Sequence, residues 1–481
     1  MRVVLFISLL LLSPSLFADN PSGRAEELLD LARGAPVEVF ADIAFELLSD
    51  GSIRADKRAA VIEEIFQRSG EARQPFPLKS ATPKSRGGRS EYTVQASVLR
   101  LDGLSIRCRA VQSMLAVDAR RARMLFDDIP PPSLPKPDCG QTVVPDIRVI
   151  FETLAAIVES GAFTAEETKK QAPLRLAERH IRAIGSSSGL AASARVMPRL
   201  MAAGLDGQAL EVAFGGALVN TTDSDRAFST EVEQGGLVQS IVAFGDLPML
   251  STLRSYLARH LTASRCRDTT HSASPAINLF NQRAAKVDGT DLPPLNAAEL
   301  KPAKVEGDMR SQAWSNEAAM QALLQEARSL PPRGRATSDW EFRAREILWK
   351  VDDWRSAEGQ DPIEFFHQRS SLAYALLDIF PAGDLNRKAI EGFAAALNSP
   401  EVIRDAPAEW LVHVRMMSLF ADLFGGDKGK ALASLPQLKE SGIPLDAGRL
   451  AVEAMIASPN PTLALYGELA ALKSGTREGA K

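Results

Sequence analysis

The stretch SGRAEELLDLARGAPVEVFADIAFELLSDGSIRADKRAAVIEEIFQRSG, residues 22–70, decides the fold class. Ser22 can cap a first helix whose opening turn carries Glu26 and Glu27, and Gly34 ends it. Pro36 stands at the first turn of a second helix, where a missing N–H is harmless. Val39, Ile43 and Leu47 then fall on one stripe before Gly51. A third helix runs from Ala55 to the stop at Gly70. Three helices in about fifty residues with short links read as antiparallel neighbours, each burying an apolar stripe against the next.

The same period continues downstream. Helical stripes run over 146–161, 188–203, 206–220, 247–261, 317–330, 338–356, 362–380, 385–397, 408–424, 446–457 and 461–473. The best candidate for strand alternation, EYTVQASVLRL (91–101), reads equally well as a helix. The expected fold is all-α: an irregular array of helical hairpins in two domains.

Internal similarity supports an array. LAVDARRARMLF (115–126) and LFGGDKGKALASL (423–435) share a helix end, an Asp and then D-x-x-[RK]-A: Asp118, Arg121 and Ala122 in the first, Asp427, Lys430 and Ala431 in the second. DLNRKAI (384–390) fits with one residue inserted. A small Ala at that place lets a facing helix approach closely. On these residues the chain resembles a degenerate tetratricopeptide-like or HEAT-like α-solenoid, which implies a grooved surface for protein or peptide partners. The tetratricopeptide consensus Trp and Tyr positions are absent, so no family binding site carries over.

The amino terminus, MRVVLFISLLLLSPSLFA (1–18), has a basic start, an apolar run too short to cross a bilayer, a Ser-Pro break and a small Ala18. It reads as a secretory signal peptide, giving an exported protein, periplasmic or extracellular. Beyond residue 20 no apolar run reaches eighteen residues, so no membrane span is expected. Over all 481 residues, 56 Lys and Arg balance 60 Asp and Glu, which argues against a nucleic-acid partner and against an acidic disordered chain.

Two breaks organise the rest. EARQPFPLKSATPKSRGGRS (71–90) reads as an exposed loop, and VDGTDLPPLNAAELKPAKVEGD (287–308) as a linker. All three Cys precede that linker and all five Trp follow it. The expected domains are therefore 19–286 and a Trp-containing 309–481. Cys108 shares a helical stripe with Leu104, Val111 and Leu115 and reads as a buried apolar thiol. Cys139 and Cys266 lie in polar stretches, and a disulfide between them is expected.

Chemical motifs are few. The alternative reading is a secreted hydrolase with either a serine or a dispersed carboxylate site; for the serine, Gly185-Ser186-Ser187-Ser188-Gly189 fits the G-x-S-x-G elbow with Ser187 as nucleophile. An elbow needs a strand before the serine, yet Leu174, Ala177, Ile181 and Ile184 are spaced as a helix. Its histidine would have to be one such as His367 or His413, and no local signature marks either. His260, Cys266 and His271 have no usual zinc spacing, and no cofactor glycine motif appears, so neither metal nor cofactor is expected. Tandem acids such as Glu26-Glu27, Glu63-Glu64 and Asp352-Asp353 point about 100° apart on a helix and read as solvated faces.

DWEFRAREILWKVDDW (339–354) is apolar on two sides. Trp340, Ala344, Ile347, Leu348 and Val351 form one, and Phe342 with Trp349 the other. Such a helix is either sandwiched in the core or presents Phe342 and Trp349 as anchors of a binding groove. The overall expectation is an exported helical-repeat scaffold that binds protein or peptide.

Overall fold

The computed structural model describes residues 21–73, 78–79, 89–131, 141–142, 146–221, 236–241, 247–263, 269–285, 292–296, 317–330, 338–380, 383–424 and 447–478. The protein is all-α. The stretch that decided the class forms α1 (Pro21–Ala32), α2 (Val37–Ser49) and α3 (Ala55–Arg68). Gly51 takes φ +79° just past α2, the left-handed conformation that favours glycine at a helix stop.

The chain divides into two compact units: Ala59–Ser315, and Met1–Arg58 together with Asn316–Lys481. In the continuous unit, α3 is followed by α4 (Arg89–Val98), α5 (Gly103–Leu115), α6 (Ala119–Asp127), α7 (Arg148–Glu159), α8 (Ala165–Lys169) and α9 (Ala172–Arg182). Then come α10 (Ser187–Ala202), α11 (Gly207–Asn220), α12 (Leu247–Ala263) and α13 (Thr269–Ala284). Polar caps set their starts. Asp118 accepts from Arg121 N at 3.0 Å to open α6, and Thr164 with Glu167 forms a reciprocal box on α8. The stretch 91–101, ambiguous in sequence, is helical through Val98.

Of the expected loop 71–90, residues 71–73, 78–79 and 89–90 are among the described residues. Leu78–Lys79 pairs antiparallel with Gln141–Thr142, a two-residue ladder, and α4 already begins at Arg89.

The discontinuous unit holds α1 and α2 with α14 (Glu317–Arg328), α15 (Ser338–Asp353), α16 (Pro362–Ile379), α17 (Gly383–Leu397), α18 (Pro400–Asp405), α19 (Pro407–Phe424), α20 (Ala447–Ile456) and α21 (Pro461–Glu478). Here the structure departs from the expected continuous domain 19–286. α1 packs on α21, and α2 packs on α19 and α21.

The reason lies in α2 itself. Val37, Val39, Phe40, Ala41, Ile43, Ala44, Phe45 and Leu47 are all buried, so the helix is apolar around most of its circumference and needs neighbours on several sides. Glu38, Asp42 and Glu46 also follow one another at i, i+4, and the first two are buried. Burying carboxylates requires partners. For Asp42 and Glu46 the carboxyl-terminal helices supply them: Asp42 accepts from Arg415 Nη2 at 2.6 Å and from the Tyr466 hydroxyl at 2.9 Å. Glu46 accepts from Arg415 at 3.1 Å and from Lys473 Nζ at 2.6 Å.

The apolar amino terminus, residues 1–18, and both cysteines of the expected disulfide, Cys139 and Cys266, lie outside the described residues. Among the described residues no helix is long and apolar enough to cross a membrane.

Candidate functional site

Helix α15 carries the surface of interest. Asp339 and Glu341 stand in its first turn and Lys350 in its last, matching the helix dipole at both ends. Trp340, Ala344, Ile347, Leu348 and Val351 are buried, and the Trp340 ring meets Phe380 edge-on at 6.1 Å. Ion pairs reinforce this packing: Arg345 to Asp384 of α17 at 2.9 Å, and Lys350 to Glu326 of α14 at 2.8 Å.

On the opposite side, Phe342 is 67% exposed and Trp349 65%. Their seven-residue spacing places them on one face, two turns and about 10 Å apart along the axis. The core-sandwich alternative for these two side chains is therefore corrected. α14, α16 and α17 all pack with α15, and its outward aromatic side stays uncovered. Lone exposed apolar residues are ordinary, whereas two large aromatics in register on one helix face are a recognisable anchor pattern.

A second constellation is buried. His367 of α16 and Glu409 and His413 of α19 form one hydrogen-bonded chain, with side chains 0–2% exposed. Nε2–H of His367 donates to Glu409 Oε2 at 2.7 Å, and its Nδ1 lies 2.9 Å from His413 Nε2. Phe366 meets both imidazoles edge-on, at 5.4 and 5.2 Å. Burial, and then the charge of His367, hold His413 well below its ordinary value. The sequence placed both histidines on apolar helices but did not pair them. Glu409 and His413 are visibly one turn apart, while His367 joins them from 46 positions away.

The remaining candidates separate cleanly. Ser187 opens α10, Ser186 caps that helix by accepting from Gly189 N at 3.4 Å, and the preceding segment is α9. The strand that a nucleophile elbow requires is not formed there, which removes the support for the hydrolase alternative at Ser187. His180 is buried, donates Nδ1–H to Leu176 O at 3.1 Å and stacks on Phe126, a structural arrangement. Cys108 is a buried free thiol, as its stripe suggested. Among the described residues no three His, Cys, Asp or Glu side chains are grouped to hold a metal ion.

One cleft of about 370 Å³ lies between α17 and α20, with Arg387, Glu391 and Glu453 at its edge and Ala394 and Ala457 in its wall. Its lining offers charge and small side chains but no convergent catalytic set. Comparison with protein families, with curated proteins and with solved structures gives no match.

Proposed function

We propose that this chain is an exported helical-repeat scaffold that binds a protein or peptide partner, with the outer face of α15 as the contact. The observation that carries the reading is the exposure of Phe342 and Trp349 in register on a helix whose other side is anchored in the core. Aromatic side chains supply large contact area with few rotatable bonds, and they dominate interface energetics when a partner covers them. The rigid backing from α14, α16 and α17 presents the pair at little further ordering cost. Export rests on the layout of residues 1–18.

The test compares capture from native extracts by the wild-type chain and by the double variant Phe342→Ser, Trp349→Ser. Val212→Ser with Val219→Ser, also exposed and seven residues apart on α11, serves as control. The expected outcome is a partner retained by wild type and control and lost from the aromatic variant. Equal capture by all three overturns the assignment of the α15 face.

A further inference from the structure

The buried chain Glu409–His367–His413 does more than fill space. Among the described residues only two donor atoms converge in it, His367 Nδ1 and His413 Nε2, because the carboxylate sits on the far nitrogen of His367. That is too few for a metal, and at 0–2% exposure no substrate reaches it. The arrangement does count protons. A line of 2.9 Å between two ring nitrogens holds one proton, carried by either ring. With both imidazoles charged, two N–H groups point at each other across that line and two like charges share a dry site. The contact cannot survive that state.

We propose that Glu409–His367–His413 is a proton-operated latch between α16 and α19, closed while the two imidazoles share one proton and opened when each carries its own. In the closed state His367 can charge against Glu409 while His413 stays neutral and accepts from it. Several charged groups on the surrounding elements are engaged in ion pairs of their own. Asp42 and Glu46 of α2 hold Arg415 of α19 and Lys473 of α21, and Glu326 of α14 holds Lys350 of α15. Asp384 of α17 holds Arg345, Arg404 of α18 pairs with Asp405, and Arg449 of α20 pairs with Glu453. On α16 itself, Glu364 bonds Gln368, and Arg369 lies in the field of Asp352 and Arg355.

The sign follows from linkage. An imidazole freed by opening takes a proton near pH 6.5, whereas the buried His413 stays neutral, so acid favours the open state by up to about tenfold per pH unit below 6.5. Ordinary carboxylates titrate lower, so the interval from about pH 6.5 to 5 isolates the histidines.

Hydrogen–deuterium exchange of the full chain, corrected for intrinsic rates, tests the latch. Opening in α16 and α19 peptides is expected to rise roughly tenfold per pH unit across that interval, with α5 and α7 peptides unchanged. In His413→Gln, His367 charges against Glu409 without meeting a second N–H, so the rise should shrink to about twofold or less. A pH-independent wild type, or a variant with an undiminished response, overturns the proposal. Should His413→Gln fail to fold, histidine C2–H exchange on the wild type decides the matter. One of the two rings is expected to remain neutral at pH 5 while the fold is closed, and titration of both rings within the closed fold overturns the latch.

Discussion

Cys108 shows how far a single position can be read in advance. The stripe Leu104, Cys108, Val111 and Leu115 implied a buried thiol, and the side chain has no exposed surface. Burial pushes its thiol up to about 12, against the smaller opposing effect of a hydrogen bond with Thr153. Thiolate is the reactive form, so at pH 8 its population is about a thousandfold below that of a free cysteine. Native protein should therefore leave Cys108 unlabelled by a maleimide and denatured protein should label it, as mass spectrometry of the Cys108 peptide will show. Gly467 shows the opposite case. A Cβ there would stand 2.7 Å from the backbone nitrogen of Ile456, so glycine is what lets α21 cross α20 at that distance. Within its own helix nothing distinguishes Gly467 from a tolerated interior glycine, because the constraint belongs to another segment.

At the scale of the element, α15 separates what periodicity reveals from what neighbours decide. Both apolar sides were visible in DWEFRAREILWKVDDW, since angular position follows from spacing alone. Which side is buried depends on α14, α16 and α17, which the helix cannot announce. Trp340→Ala should cost about 3–5 kcal/mol by emptying a packed aromatic site. Phe342→Ser and Trp349→Ser should each change stability by no more than about 0.5 kcal/mol. Urea unfolding of the three variants measures the contrast, and a large loss from either outer residue would mean that it is covered in the folded chain. The same limit hid the histidine latch: the Glu409–His413 step lies within one helix, but its third member comes from α16.

For the whole molecule, the acid–cation cluster gives a pH signature. Burial would raise the Glu46 carboxyl, but Arg415 and Lys473 outweigh it and bring it down to about 2. A depressed carboxylate contributes stability that is fully present above its unfolded value of 4.5 and is lost as pH falls towards 2. That contribution is on the order of 2–3 kcal/mol. Glu46→Gln should remove it near neutrality and flatten the acid limb of a stability–pH curve measured by denaturant unfolding. Helix positions and fold class were legible along the chain because amphipathic spacing is local. The division into units was not, because a stripe states that a partner is needed without naming it. The stripe and acids of α2 are met by α19 and α21, whose partner residues lie 369–427 positions downstream.

That long-range closure sets an order of events during synthesis. The stretch 59–315 is continuous and forms one compact unit from a single run of chain. α1 and α2, made first, must wait for roughly 260 intervening residues and then for the last helices. At ribosomal speeds that interval runs to some tens of seconds. Throughout it the newborn chain displays Phe40, Ile43, Phe45 and two carboxylates whose counterions do not yet exist. Any cellular factor that shields emerging apolar segments would meet this protein at its front end, and deletion of residues 316–481 should leave that front end permanently exposed.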